Sequence, residues 1–161
     1  IADDKWQIEN FALGDKNSKE EINISNKTVY SSILDVNEIG KSNFSNSIKV
    51  VDKQNILVKK LDDIINELVN NLNKRRVFLK IDTQGYDNRV IRGSLQTLEH
   101  VQVLQTEISC KGIYMDTPSV PQRLEELFNL GFSITGIFPI SRDKNTMEIL
   151  EFDCLLIRTN K

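Results

Sequence analysis

Histidine and cysteine are scarce in this chain: there is one histidine and there are two cysteines among 161 residues. With His100 alone, a multi-histidine metal site is excluded, and a His-based triad would have to be built around that one residue. Cys110 and Cys154 lack metal-ligand spacing and are too few for a disulfide framework, so two buried thiols in a reducing, cytoplasmic compartment are expected. No apolar run approaches the length of a membrane span. The start, Ile1-Ala2-Asp3-Asp4, is acidic and too short for a signal peptide, and without an initiator methionine a fragment or processed product is expected. Charge of either sign is not in excess, at 21 basic against 23 acidic residues, which removes the electrostatic case for nucleic acid or an anionic membrane surface as partner.

What is present centres on Val77-Phe78-Leu79-Lys80-Ile81-Asp82-Thr83-Gln84-Gly85-Tyr86-Asp87. An apolar run of strand length ends at a carboxylate, passes a glycine able to make a tight turn, and enters a helix over 87–98 with Val90, Ile91, Leu95 and Leu98 on one face. In open α/β sheets, ligands sit outside the carboxyl ends of strands. Asp82 is therefore both a candidate functional group and, equally, an aspartate that simply opens a loop.

Before this stretch, residues 6–13 predict a strand, 20–25 a second, and 48–51 and 56–58 two more, with a long Ser/Asn-rich surface loop over 26–47. Leu61, Ile64, Ile65, Leu68, Val69 and Leu72 predict a helix whose first turn carries Asp62 and Asp63. After it, 101–108 reads as a buried strand and 109–117 as a loop. A helix capped by Ser119 and Gln122, with Pro121 in its first turn, stops at Gly131. Residues 132–138 and 149–158 close the chain as strands around a polar loop at 139–147, with 154–157 expected to be buried on both faces. Alternating helices and strands imply parallel strands with crossovers, and a final antiparallel pair. The expected fold class is thus α/β, one domain over 1–161, with a mostly parallel sheet and an antiparallel C-terminal hairpin.

These segments, in order, resemble the C-terminal two-thirds of an FkbM-type S-adenosylmethionine-dependent methyltransferase. The resemblance is carried by Asn10-Phe11-Ala12-Leu13-Gly14-Asp15, Ser31-Ser32-Ile33-Leu34, Lys60-Leu61-Asp62-Asp63, the central motif 79–87, Val90-Ile91-Arg92-Gly93-Ser94, Gln105-Thr106-Glu107, Gly131-Phe132 and Phe152-Asp153-Cys154-Leu155. Asp87 stands where that family usually has glutamate. The family's glycine-rich first turn, and the acid that would hold the cofactor ribose, have no counterpart: the first glycine is Gly14, after the segment that resembles the third strand.

The resemblance implies a Rossmann-like sheet, N-terminally truncated, and O-methylation of a small metabolite, sugar or polyketide. It implies S-adenosylmethionine as cofactor, bound weakly or not at all by this chain alone. Asp82 is the expected base or substrate-positioning group, with Glu107 at the end of the neighbouring strand as partner. Two close carboxylates raise one pKa, which suits a base; the alternative role for both is to cap loops or pair with Lys80, Lys111 or Arg89. They are weak grounds for a metal, and none is expected. Asn10, Phe11 and Ala12 are expected at the adenine pocket, although core packing is the ordinary role of a residue such as Phe11. Thr83, Gln84 and Tyr86 would face cofactor or acceptor, and Tyr114 and Ser31-Ser32 an acceptor lid. The rival expectation is a non-catalytic α/β assembly module or decayed enzyme. Unpaired sheet edges would favour a homodimer.

Overall fold

The computed structural model describes residues 6–44, 48–143 and 145–159; the acidic start at Ile1 to Asp4, and 45–47 of the expected loop, lie outside them. Two sheets form. In the first, β1 (Ala12–Leu13) runs parallel to β3 (Val50–Lys59), and β2 (Ser18–Ser25) pairs antiparallel with the other edge of β3, in the order β1-β3-β2. In the second, β4 (Val77–Ile81), β5 (Val101–Ser109), β6 (Phe132–Arg142) and β7 (Ile149–Arg158) lie in the order β4-β5-β7-β6.

The expectation of one mostly parallel sheet is corrected here. Only β4–β5 is a parallel pair in the second sheet, because β7 returns from the β6 hairpin and inserts between β5 and β6, antiparallel to both. Strands β4, β5 and β6 still share one direction, as the crossover segments between them require. The architecture is mixed α/β with two sheets.

Five helices are described: α1 (Glu38–Phe44), α2 (Leu61–Leu68), α3 (Asp87–Arg92), α4 (Leu95–Leu98) and α5 (Val120–Asn129). Helix α5 starts on the expected capping box, with Gln122 Oε1 accepting from the Ser119 N–H at 3.0 Å. The expected helix over 87–98 is broken at Gly93-Ser94. A Cβ on Gly93 would sit 1.8 Å from the Gly14 carbonyl oxygen, so two backbones meet where the helix passes the end of β1. Alternate residues of β5 and β7, among them Leu104, Ile108, Cys154 and Leu156, pack with Val90, Ile91, Leu98 and Leu127 in one core.

Several local expectations also change. The loop over 26–47 contains a 3-10 turn, Thr28–Tyr30, and helix α1. The two short strands over 48–58 are one strand, β3, whose polar centre pairs with β2 while facing solvent, so its pairing rather than burial holds it extended. The strand expected over 6–13 shrinks to β1. Strand β6 continues through Pro139 to Arg142, which an edge position permits, with register shifts around Pro139 to Arg142. In β7, Cys154 and Leu156 are buried but Ile157 is exposed, because helices α3 to α5 pack on one face of that sheet only.

Candidate functional site

Strand β4 ends at buried Ile81, and the next six residues build the site. Gln84 (φ 51) and Gly85 (φ 87) are both in the left-handed region, which swings the chain from the strand into α3. A Cβ on Gly85 would lie 2.9 Å from the Tyr114 ring, so glycine is required for space as well as for φ.

The turn is fastened from below by Asp87. Its Oδ2 accepts from the Thr83 hydroxyl at 3.0 Å and from the Thr83 N–H at 3.4 Å, and its Oδ1 accepts from the Thr106 hydroxyl at 3.2 Å. Thr106 Oγ1 in turn accepts from Arg123 Nη2 at 3.2 Å, while Arg123 Nη1 donates to Asn88 and Glu126. Asp87 and Arg123 are both buried. Burial pushes the Asp87 pKa up, against the opposing pull of the Arg123 charge and the Thr83 hydrogen bond; burial pulls Arg123 down. A hydrogen-bonded chain therefore runs from α5 through β5 to the loop after β4.

The turn is fastened from the side by Ser32 and Tyr114. The Ser32 hydroxyl donates to the Gln84 carbonyl at 2.7 Å, and the Tyr114 hydroxyl lies 3.2 Å from Gln84 Oε1 and 3.1 Å from the Tyr30 carbonyl. Tyr114 is buried, which raises its pKa, and it acts as a tether rather than lining the cavity expected beneath a lid.

Above the turn opens a cavity of about 420 Å³, within the range of small-molecule sites, roughly 300–1,000 Å³. Ala12, Asp82, Thr83, Gln84 and Tyr86 line it, together with Ser31 and Ser32. Asn10 and Phe11 are not among its lining residues: Asn10 is exposed, and the half-buried Phe11 ring lies 4.4 Å beneath the Lys59 ammonium. Within the turn, Asp82 Oδ2 pairs with Lys80 Nζ at 3.0 Å and its Oδ1 accepts from Gln84 Nε2 at 3.3 Å.

Glu107 lies on a different opening. It borders a water-sized cleft of about 30 Å³ with Gly85, Asp87, Ser109 and Arg123. Burial, then the charges of Glu151, Asp82, Asp87 and Asp153, push its pKa up to about 8. Asp153 is directly opposite it on β7. Asp82 and Glu107 thus feel one another electrostatically but face separate spaces. Among the described residues no group of three or more His, Cys, Asp or Glu is arranged to hold a metal ion.

Several residues of the site escape a reading by motif. Ile22 and Val29 join the cavity from outside the segments that carry the resemblance, and no local pattern links them. Arg123 did leave a signal: it stands among Val120, Leu124 and Leu127 at helical spacing, a cation where the apolar stripe of α5 should be.

The glycines test whether a nucleoside cofactor fits. Close backbone approach needs a glycine turned toward the ligand. The missing Cβ of Gly14 faces Val58 and Tyr86, that of Gly93 faces Gly14, and that of Gly85 faces Tyr114. Each serves contact of the chain with itself. The described residues therefore do not fit a complete S-adenosylmethionine site; the cavity lining offers hydroxyls, one amide and one carboxylate. A family model for the methyltransferase FkbM domain matches residues 3–134. No curated protein matches the chain, and no solved structure does.

Proposed function

The chain belongs to the FkbM methyltransferase family, and from that premise we propose that its cavity is the acceptor side of an S-adenosylmethionine-dependent O-methyltransferase site acting on a small molecule. The observation that carries this is the convergence of Asp82, Thr83 and Gln84 with Ser31 and Ser32 on one cavity of about 420 Å³. The shared direction of β4, β5 and β6 supports a Rossmann-like relation, with the cavity at the carboxyl end of β4. Of the two thiols expected to be buried, Cys154 is, and Cys110, in the loop just beyond β5, is exposed; both are free, in keeping with a reducing, cytoplasmic setting.

S-adenosylmethionine, if held by the full-length protein, would supply an electrophilic methyl group. The chain's own residues position the acceptor oxygen and remove its proton. Asp82 is the base: it stands at the cavity wall, and its bonds to Lys80 and Gln84 aim both oxygens. Thr83, held by Asp87, and Ser31 offer hydroxyls to orient the acceptor. Glu107 borders the neighbouring cleft rather than this cavity, so it makes no contact with the acceptor. Transfer of labelled methyl from S-adenosylmethionine to a hydroxylated acceptor tests this. Asp82→Asn is expected to lower turnover by at least about 100-fold, the usual contribution of a positioned base, with the melting temperature unchanged. Unaltered turnover removes Asp82 as base.

A second reading, a non-catalytic α/β module, draws on one observation: the glycines nearest the cavity all face protein atoms. Calorimetric titration with S-adenosylhomocysteine separates the two. Binding by the full-length protein supports the transferase, and its absence in the full-length, folded protein supports the module.

A further inference from the structure

On the acceptor-side reading, the chemistry of the ligand narrows further from the walls of the Asp82 cavity. The lining includes apolar Leu13, Ile22 and Ile33 beside polar Ser31, Thr83 and Asp82. Among the described residues lining the cavity, Asp82 is the only charged one. A phosphate or carboxylate placed there would meet no lining cation and one anion, since the Lys80 ammonium is already held by Asp82 at 3.0 Å. Recognition of such anions calls for Arg or Lys donors, and juxtaposed like charges oppose binding.

Asp82 also has unused capacity. An ionised carboxylate has about four lone-pair positions on two oxygens. Lys80 occupies one on Oδ2 and Gln84 Nε2 one on Oδ1. Each oxygen keeps one position, and the side chain is 40% exposed. Two acceptors on one carboxylate match two hydroxyl donors on adjacent carbons. We propose that this cavity binds an uncharged ligand through a vicinal diol held by Asp82, the apolar lining residues contacting the ligand's carbon skeleton.

The test is a titration of the ¹⁵N-labelled chain followed at the amides of Ser32, Thr83 and Gln84. The probes are methyl α-mannopyranoside, its 2,3-dideoxy analogue, mannose 6-phosphate and adenosine, whose ribose carries the other source of a diol. The mannoside is expected to shift these amides, and the dideoxy analogue and the phosphate to bind at least about tenfold more weakly, the loss that goes with hydrogen bonds to a charged group. Asp82→Asn, which leaves the rest of the spectrum in place, is expected to weaken the mannoside and bring the phosphate to parity with it. Equal binding of the dideoxy analogue or the phosphate overturns the proposal, as does silence with every probe. Tighter binding of adenosine, lost in Asp82→Asn, also supports the diol and makes a nucleoside ribose its source. Mannoside binding with no methyl transfer by the full-length protein supports the proposal and sinks the acceptor reading; methyl transfer to acceptors that need no diol sinks the proposal alone.

Discussion

Removing the charge at Glu107 should stabilise this protein, and only at high pH. Glu107 sits half-buried in β5 opposite Asp153, with Asp82, Asp87 and Glu151 also acting on it and Lys80 the nearby cation. Its pKa is raised from 4.5 to about 8, chiefly by burial. An acid whose folded pKa is raised holds its proton in the folded state where the unfolded chain has released it. Stability therefore falls as pH climbs from the unfolded value to the folded one, and is flat above. Each pKa unit is worth about 1.36 kcal/mol, which makes roughly 5 kcal/mol an upper bound for this group. Partial exposure, and the sharing of protons among neighbouring carboxylates, bring the expectation to about 2 kcal/mol. Glu107→Gln keeps the shape and removes the titration. Thermal melts of both proteins at pH 5 and pH 9 measure the effect. The variant should match the wild type at pH 5 and melt about 4–8 °C higher at pH 9, taking the usual 2–4 °C per kcal/mol for a chain of this size. A gain of equal size at both pH values would refute the reasoning, because a packing effect does not titrate.

Three further outcomes follow from the packing. Arg123→Met keeps the apolar stem on α5 but leaves Asp87 buried without its cation, so urea denaturation should show a loss of about 3 kcal/mol; a loss under about 1 kcal/mol would mean that Asp87 is neutral in the native protein. Gly93→Ala drives a Cβ against the Gly14 carbonyl, and the forced backbone shift should cost about 2 kcal/mol in the same assay; an unchanged midpoint would place the two backbones further apart. Phe78, Phe138 and Ile157 are exposed on β4, β6 and β7, and among the described residues no strand pairs with the outer edges of β4 and β6, so light scattering should show self-association that rises with concentration. A monodisperse monomer at every concentration counts against it.

How far the sequence could be read depended on how local each feature was. The turn at 82–87 was legible because strand, carboxylate, glycine and helix follow one another directly, and only glycine satisfies both the left-handed backbone at Gly85 and the Tyr114 ring beside it. The cap of α5 was legible for the same reason, since Ser119 and Gln122 are three residues apart. The length of β3 was not, because the polar residues at its centre look like a turn until β2 is placed alongside. Nor was the break at Gly93, which is imposed by Gly14 from a distant part of the chain.

The site divides in the same way. Asp82, Thr83 and Gln84 share a cavity because they are consecutive, and their being together was settled by the sequence. The partner of Asp87 was not. A carboxylate two residues after a glycine has no preferred cation, and it took the packing of α5 on β5 to bring Arg123 and Thr106 to it. The pairing of Asp82 with Glu107 was expected from strand order, and strand order does bring their fields together. Which space each faces was decided by the tertiary structure alone: Asp82 lies in the loop beyond β4 and looks up toward Ser31 and Ser32, whereas Glu107 is still within β5, where the pleat fixes its direction. Local sequence determines the shape of a turn; what that turn faces depends on residues that reach it only through the fold.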